Sequence, residues 1–219
     1  WLPFTVLALK LWETAQELDQ RLENPAEVLE VLVNSAAKGE QASETWARLH
    51  AAAERFGKAP DLALSYEQIT HDKRIKLLPP EQQAYIFLNA TRFFAEVLSD
   101  NEGAASYAER AIQAVPGHAE AFAMLEALLT ASGKLARIAE HYVEASEREQ
   151  DPQRRVALLE RAWSIALSLE DARDLVIDVG QRLLRLRPAE EAVRDEVMRR
   201  LIVSGRHLEV VELLEHALR

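Results

Sequence analysis

Six histidines, at positions 50, 71, 118, 141, 207 and 216, are the first candidates for metal or acid–base chemistry in this chain of 219 residues. None forms a His-Glu-x-x-His pair. No two stand three or four apart, the spacing at which one helix face could offer both rings to a single ion. They are expected at surfaces and turns, structural or solvated. Carboxylates do occur at helical spacing, with Asp171, Asp174 and Asp178 on one face at intervals of three and four. A metal or acid–base site could use such a face, but a helix start favours negative charge, and Arg173 and Arg182 close by account for the three as ion pairs. Without Cys there is no thiol nucleophile, cysteine zinc site or disulfide. The seven glycines are dispersed, so there is no phosphate-cradling loop, and no Gly-x-Ser-x-Gly elbow occurs. The expectation is a protein that is not an enzyme and that uses no cofactor and no metal.

Charge narrows the partners. Asp and Glu number 36 against 26 Lys and Arg, a formal net charge of −10, which disfavours nucleic acid and anionic membrane surfaces. No run of apolar residues is long enough to span a bilayer. The apolar opening from Trp1 to Leu9 lacks the basic flank and cleavage site of a signal peptide, so a cytoplasmic location is expected, with a periplasmic one kept open. The chain does not start with Met and is expected to be a piece of a longer protein. With 48% apolar residues it can bury a large core.

The elements that position these groups must be helices. Gly and Pro are few and fall between long stretches of Ala, Leu, Glu, Arg and Gln, and no strand-like alternation bounded by hairpin turns occurs. Internal repetition organises them. Pro80, Pro116 and Gly133 recur 72 positions later as Pro152, Pro188 and Gly205. An offset of 76 relates Phe122 to Trp46, Leu125 to Leu49, Gly133 to Gly57 and Tyr142 to Tyr66. The chain reads as three copies, residues 1–76, 77–148 and 149–219, each a pair of helical hairpins, or about twelve helices in all. In the middle copy the spacing predicts helices over 80–99, 102–115, 118–132 and 135–148, broken at Asp100–Gly103, at Pro116-Gly117 and at Gly133 as a left-handed cap.

A hairpin of this length, with small residues at set positions and a closing Pro, resembles the tetratricopeptide repeat (TPR). The clearest match is Ala119, Ala121, Phe122, Leu125, Leu129 and Gly133, then Ile138, Tyr142 and Ala145. Gly205 to Ala217 and the run Ala104, Ala108, Ala111 and Pro116 carry it further. Glu126 and Met198 depart from it, standing where a small residue is usual. The resemblance implies an all-α, right-handed α-solenoid of six hairpins forming one domain, in which small residues such as Gly180 let helices approach while Trp46, Phe122 and Trp163 fill the gaps opposite. Val210, Val211, Leu213, Leu214 and Leu218 on the last helix are left with nothing to cover them, so contact through uncapped ends is expected.

Members of this family commonly bind ligands in a concave groove lined by the first helix of each hairpin. Carried over by position, the groove holds Ala47, Asn89, Ala123, Arg161 and Asp195, then Ala51, Phe93, Ala127, Ile165 and Arg199. The Lys and Asn pattern that clamps chaperone termini is absent. The partner-binding residues are expected to be Asn89, Phe93, Glu96, Arg161 and Arg199, on a floor suited to a peptide or helix. Phe93 and Phe94 point about 100° apart on a helix, so one of them is expected in the core. The basic residues of the third copy are all arginine, read as solvated ion pairs, with an arginine surface for carboxylate or phosphate as the sharper alternative. The expected function is a protein-binding scaffold. The alternatives are the regulatory or sensor arm of a larger enzyme and, against the acidity, helical-repeat recognition of RNA.

Overall fold

A computed structural model describes residues 25–39 and 43–217. The described residues are helical throughout, with no strand among them. The helices are α1 (Pro25–Ala36), α2 (Ser43–Arg55), α3 (Ala59–His71), α4 (Lys73–Lys76), α5 (Pro80–Arg92), α6 (Asn101–Ala114), α7 (Ala119–Ala131), α8 (Leu135–Arg148), α9 (Pro152–Ser168), α10 (Arg173–Leu186), α11 (Glu191–Val203) and α12 (His207–Ala217). The helix expected ahead of α1 lies outside the described residues. In its place in the count stands α4, a single turn that the spacing did not predict. It starts where the Asp72 carboxylate accepts from the Arg74 N–H at 2.8 Å.

The helix boundaries have local causes. Asp100 and Asp151 cap α6 and α9 by accepting from Gly103 N–H and from Gln153 and Arg154 N–H, groups with no partner inside the helix. At the other end of a helix, Gly57, Gly133 and Gly205 take φ of +66°, +70° and +70°. That left-handed turn lets Lys58, Lys134 and Arg206 N–H reach back to Ala53, Leu129 and Leu201 carbonyls at 2.8–3.0 Å, satisfying the last turns of α2, α7 and α11. Three equivalent places in the repeat thus use one device.

The chain divides into two compact units, Trp1–Val115 and Pro116–Arg219. In the first, α1 packs against α2, α3 and α5, and α5 against α6. In the second, each helix from α8 to α12 packs on the one before it. This is the all-α, sequentially packed array that the repeats imply. One departure lies at the end of α5, expected to run unbroken to residue 99. There the helix widens into a π turn, Phe93–Val97, in which Leu98 N–H bonds the Phe93 carbonyl at 3.3 Å and Asp100 N–H the Phe94 carbonyl at 2.9 Å.

Close approach at a small residue is clearest at Gly180 of α10. A Cβ there would lie 2.2 Å from Val197 Cγ2 on α11 and 2.7 Å from Trp163 Cζ3 on α9. Beneath it Ile177, Leu184, Val197 and Leu201 form a core against which Trp163, Val193, Val210 and Leu213 pack. Helix propensity alone would make Gly180→Ala stabilising by about 1 kcal/mol. The clash with two side chains of two other helices outweighs that, so Gly180→Ala is expected to lose about 1–3 kcal/mol, read from the urea midpoint by circular dichroism. A midpoint that rises would show that α9 and α11 do not approach α10 this closely.

Candidate functional site

Two polar–aromatic clusters, one in each unit, occupy equivalent places in the repeat. In the first unit Trp46 and His50 stand four apart on one face of α2, and Tyr66 faces them from α3. The Trp46 and Tyr66 rings stack at 6.1 Å, and His50 Nε2 and the Tyr66 hydroxyl share a hydrogen bond of 2.7 Å. Phe93 closes the cluster, 5.1 Å from His50 and 5.3 Å from Tyr66. Burial, with the positive charge of Arg92 adding to it, lowers the His50 pKa to about 4, so the ring is neutral. Burial raises that of Tyr66.

In the second unit the offset of 76 replaces Trp46, His50 and Tyr66 by Phe122, Glu126 and Tyr142. Phe122 and Tyr142 stack at 4.0 Å with planes 7° apart, and the Tyr142 hydroxyl donates to Glu126 Oε1 at 2.5 Å. Arg161 of α9 completes it, donating to both oxygens of Glu126 at 3.1 and 2.8 Å. The guanidinium holds the Glu126 carboxyl below its ordinary range, with the tyrosine adding to the effect, and Arg161 is itself raised by the same pair. Burial first, and then the bond to Glu126, raise Tyr142. Glu126 is thus the shared acceptor between Tyr142 of α8 and Arg161 of α9.

This geometry corrects two of the five expected partner-binding residues. Asn89 is 2% exposed, its amide donating to the Tyr85 carbonyl at 2.8 Å while its oxygen accepts from Arg92 at 3.1 Å, and Phe93 is fully buried. Neither can touch a partner. The physical reason is that α5 is covered almost all round, with Ala84 and every residue from Ile86 to Thr91 buried, so no face of it is left as a groove. Phe94 is buried as well as Phe93, because two neighbours receive rings pointing in two directions: Tyr66 of α3 takes Phe93, and Tyr107 of α6 takes Phe94 at 4.9 Å. Glu96 is exposed, as expected. In the second unit Arg161 and Arg199 keep exposed guanidiniums, the first on Glu126 and the second on Glu196 at 2.6 Å.

His50 corrects the surface reading of the histidines. It is buried and bonded, while His71 is exposed and His118 caps α7 by accepting from Ala121 N–H. The acidic face of α10 is paired much as expected: Asp178 meets Arg182 at 2.8 Å, and Asp174 meets Arg206 at 3.3 Å. Among the described residues no group of three His, Asp or Glu gathers as a metal site would require, and no helix is long and apolar enough to cross a membrane.

No family model matches the chain, and no curated protein matches it. Among solved structures it is similar to that of BtubC (BKLC) from P. vanneervenii, at 16% sequence identity and a TM-score of 0.39, over 94% of this chain and 91% of that one. A likeness at that level assigns no residue a role here.

Seven arginines among the described residues of the second unit are committed to carboxylates. Arg187 bonds Glu160 at 2.6 Å, Glu196 accepts from both Arg199 and Arg200, and Arg206 bonds Glu209 at 2.5 Å. That is the ion-paired reading of the charge pattern. What sequence reasoning missed is the pair of tyrosines and their acceptors. The available signal was the offset itself, since 76 positions carry His50 onto Glu126 as surely as Tyr66 onto Tyr142.

Proposed function

We propose that this chain is a TPR-like, non-enzymatic scaffold that binds a protein or peptide along the exposed faces of its hairpins. The recurrence of one interhelical arrangement supports the reading: Trp46, Tyr66 and His50 in one unit, and Phe122, Tyr142 and Glu126 in the other. Hairpins that repeat their contacts stack rather than close on a single core, and stacking leaves long faces outside it. Helix α12 also carries exposed apolar side chains. Val210 and Leu213 pack on the Leu184–Leu201 core, but Leu208 is 82% exposed, Val211 53% and Leu214 43%. Leu218 lies outside the described residues. Apolar side chains left in contact with water on one helix suit contact with another chain.

The test is affinity capture from a lysate at near-physiological salt with the whole chain as bait, followed by the same capture with Arg161→Gln and Arg199→Ala combined. A protein whose recovery falls about tenfold or more with the substitutions, at unchanged thermal stability, is the expected result. A bait that captures no protein, or captures it equally well in both forms, would sink the assignment of that face.

A further inference from the structure

One locus, where the end of one hairpin meets the next, is built twice in this chain and finished differently. In the first unit it is sealed. Arg110 of α6 lies 4.4 Å over the Phe87 ring and 5.4 Å from that of Tyr107, and donates to the hydroxyl and carbonyl oxygens of Thr70 at 3.1 and 2.5 Å. The repeat offsets carry Thr70 to Ser146 of α8, Phe87 to Leu159 of α9 and Arg110 to Arg182 of α10. In the second unit Leu159 offers no ring to stack on, the Ser146 hydroxyl turns to the Val143 carbonyl, and Arg182 turns to Glu147 and Asp178. The same place is therefore open, a cleft of about 200 Å³ between α8, α9 and α10.

Its walls have changed in charge as well as in shape. Arg155 and Arg185 line the cleft beside Arg182, where the first unit has Gln83 and Gln113. Neither Arg155 nor Arg185 has an ion pair among the described residues, whereas Arg161, Arg187 and Arg199 do. Arg182 is already bonded to Glu147 and Asp178, so Arg155 and Arg185, over a floor of Leu159 and Leu186, give the cleft its positive charge in a chain of net charge −10. Guanidinium is the side chain that matches a carboxylate or phosphate with paired N–H donors. The volume lies below the roughly 300 Å³ at which pockets begin to hold a whole small molecule, and so suits one group.

We propose that this cleft is an oxyanion site that takes a single phosphoryl or carboxylate group carried on a peptide. A peptide is favoured over nucleic acid because a chain this acidic repels a polyanion while one cationic cleft still accepts one group. The site uses none of the residues invoked for the scaffold face, so it can hold where that reading fails, and the reverse.

The test follows the arginine Nε–Hε resonances of the whole chain by NMR during titration with inorganic phosphate and, separately, acetate, at constant ionic strength set with sodium chloride. Saturable shifts at Arg155 and Arg185 with either anion are expected, and which anion binds more tightly names the group. Arg155→Gln with Arg185→Gln, the residue type of the other unit, should weaken binding about tenfold or more. Arg154→Gln, one residue along and outside the cleft, should leave it unchanged, and thermal melts of both variants should match the parent. Shifts that grow without saturation, or shifts at Arg182, the guanidinium of the cleft kept in both, that are equal in parent and double variant, overturn the proposal. So does tighter binding of a single-stranded oligonucleotide than of a phosphoserine peptide.

Discussion

Trp46→Ala is expected to cost the first unit about 3–5 kcal/mol, the range for emptying a buried large aromatic site. The indole is 1% exposed and has rings on three sides, Tyr66 at 6.1 Å, Tyr85 at 6.3 Å and His50 at 6.5 Å. These neighbours come from α2, α3 and α5, so the cavity could not close without moving three helices. Trp46→Phe supplies the contrast. Phenylalanine is what the repeat uses at the equivalent place, Phe122, and the Trp46 Nε1 has no hydrogen-bond partner to lose. That variant should lose less than half as much as the alanine one. Urea denaturation followed by circular dichroism measures both. Equal losses would show that the site needs the indole itself and that a phenyl ring, although the repeat uses one at Phe122, cannot fill it.

Acid should weaken the same cluster through His50. Its folded pKa is lowered to about 4, whereas an unfolded histidine titrates near its model value of 6.5. As pH falls below the unfolded value, the unfolded chain takes up a proton that the folded one refuses, so stability rises with pH across this window. The contribution is complete above the unfolded pKa and is lost progressively down to the folded one. Each pH unit inside the window is worth about 1.4 kcal/mol, or about 3 kcal/mol over the whole of it. Tyr66, which burial holds neutral, faces the ring from α3 and does not compensate for the proton. Denaturation series between neutral pH and the onset of carboxylate titration should show this slope in the parent and its loss in His50→Gln. The same slope in both would assign the acid sensitivity to other groups.

The candidate site was legible in part, and the missing part has a physical cause. Repeat position picks out Arg161 and Arg199, and both are exposed in the structure. Asn89 and Phe93 were placed by the same rule and are buried, because position in a repeat says which way a side chain points but not how many neighbours surround its helix. The spacing of the histidines among themselves says nothing of burial at His50. Its place four residues after Trp46, on the same face, already tied it to the core. The stacked tyrosines needed two helices to be seen together, and residue spacing within a helix does not show which side chain on the next helix meets it.

What the amino-acid sequence by itself determined is the helical class, the period and the breaks. These are local matters: strong helix formers between sparse Gly and Pro, carboxylate caps, and glycines at the left-handed C-caps of α2, α7 and α11, each acting within a few residues of itself. Tertiary structure alone decided which equivalent positions end up alike. The Thr70 locus is sealed by Arg110, whereas the Ser146 locus is left open with Arg155 and Arg185 around it. A guanidinium goes where its best acceptor or ring lies, and those partners stand on other helices, so the two repeats diverge in chemistry while keeping one fold.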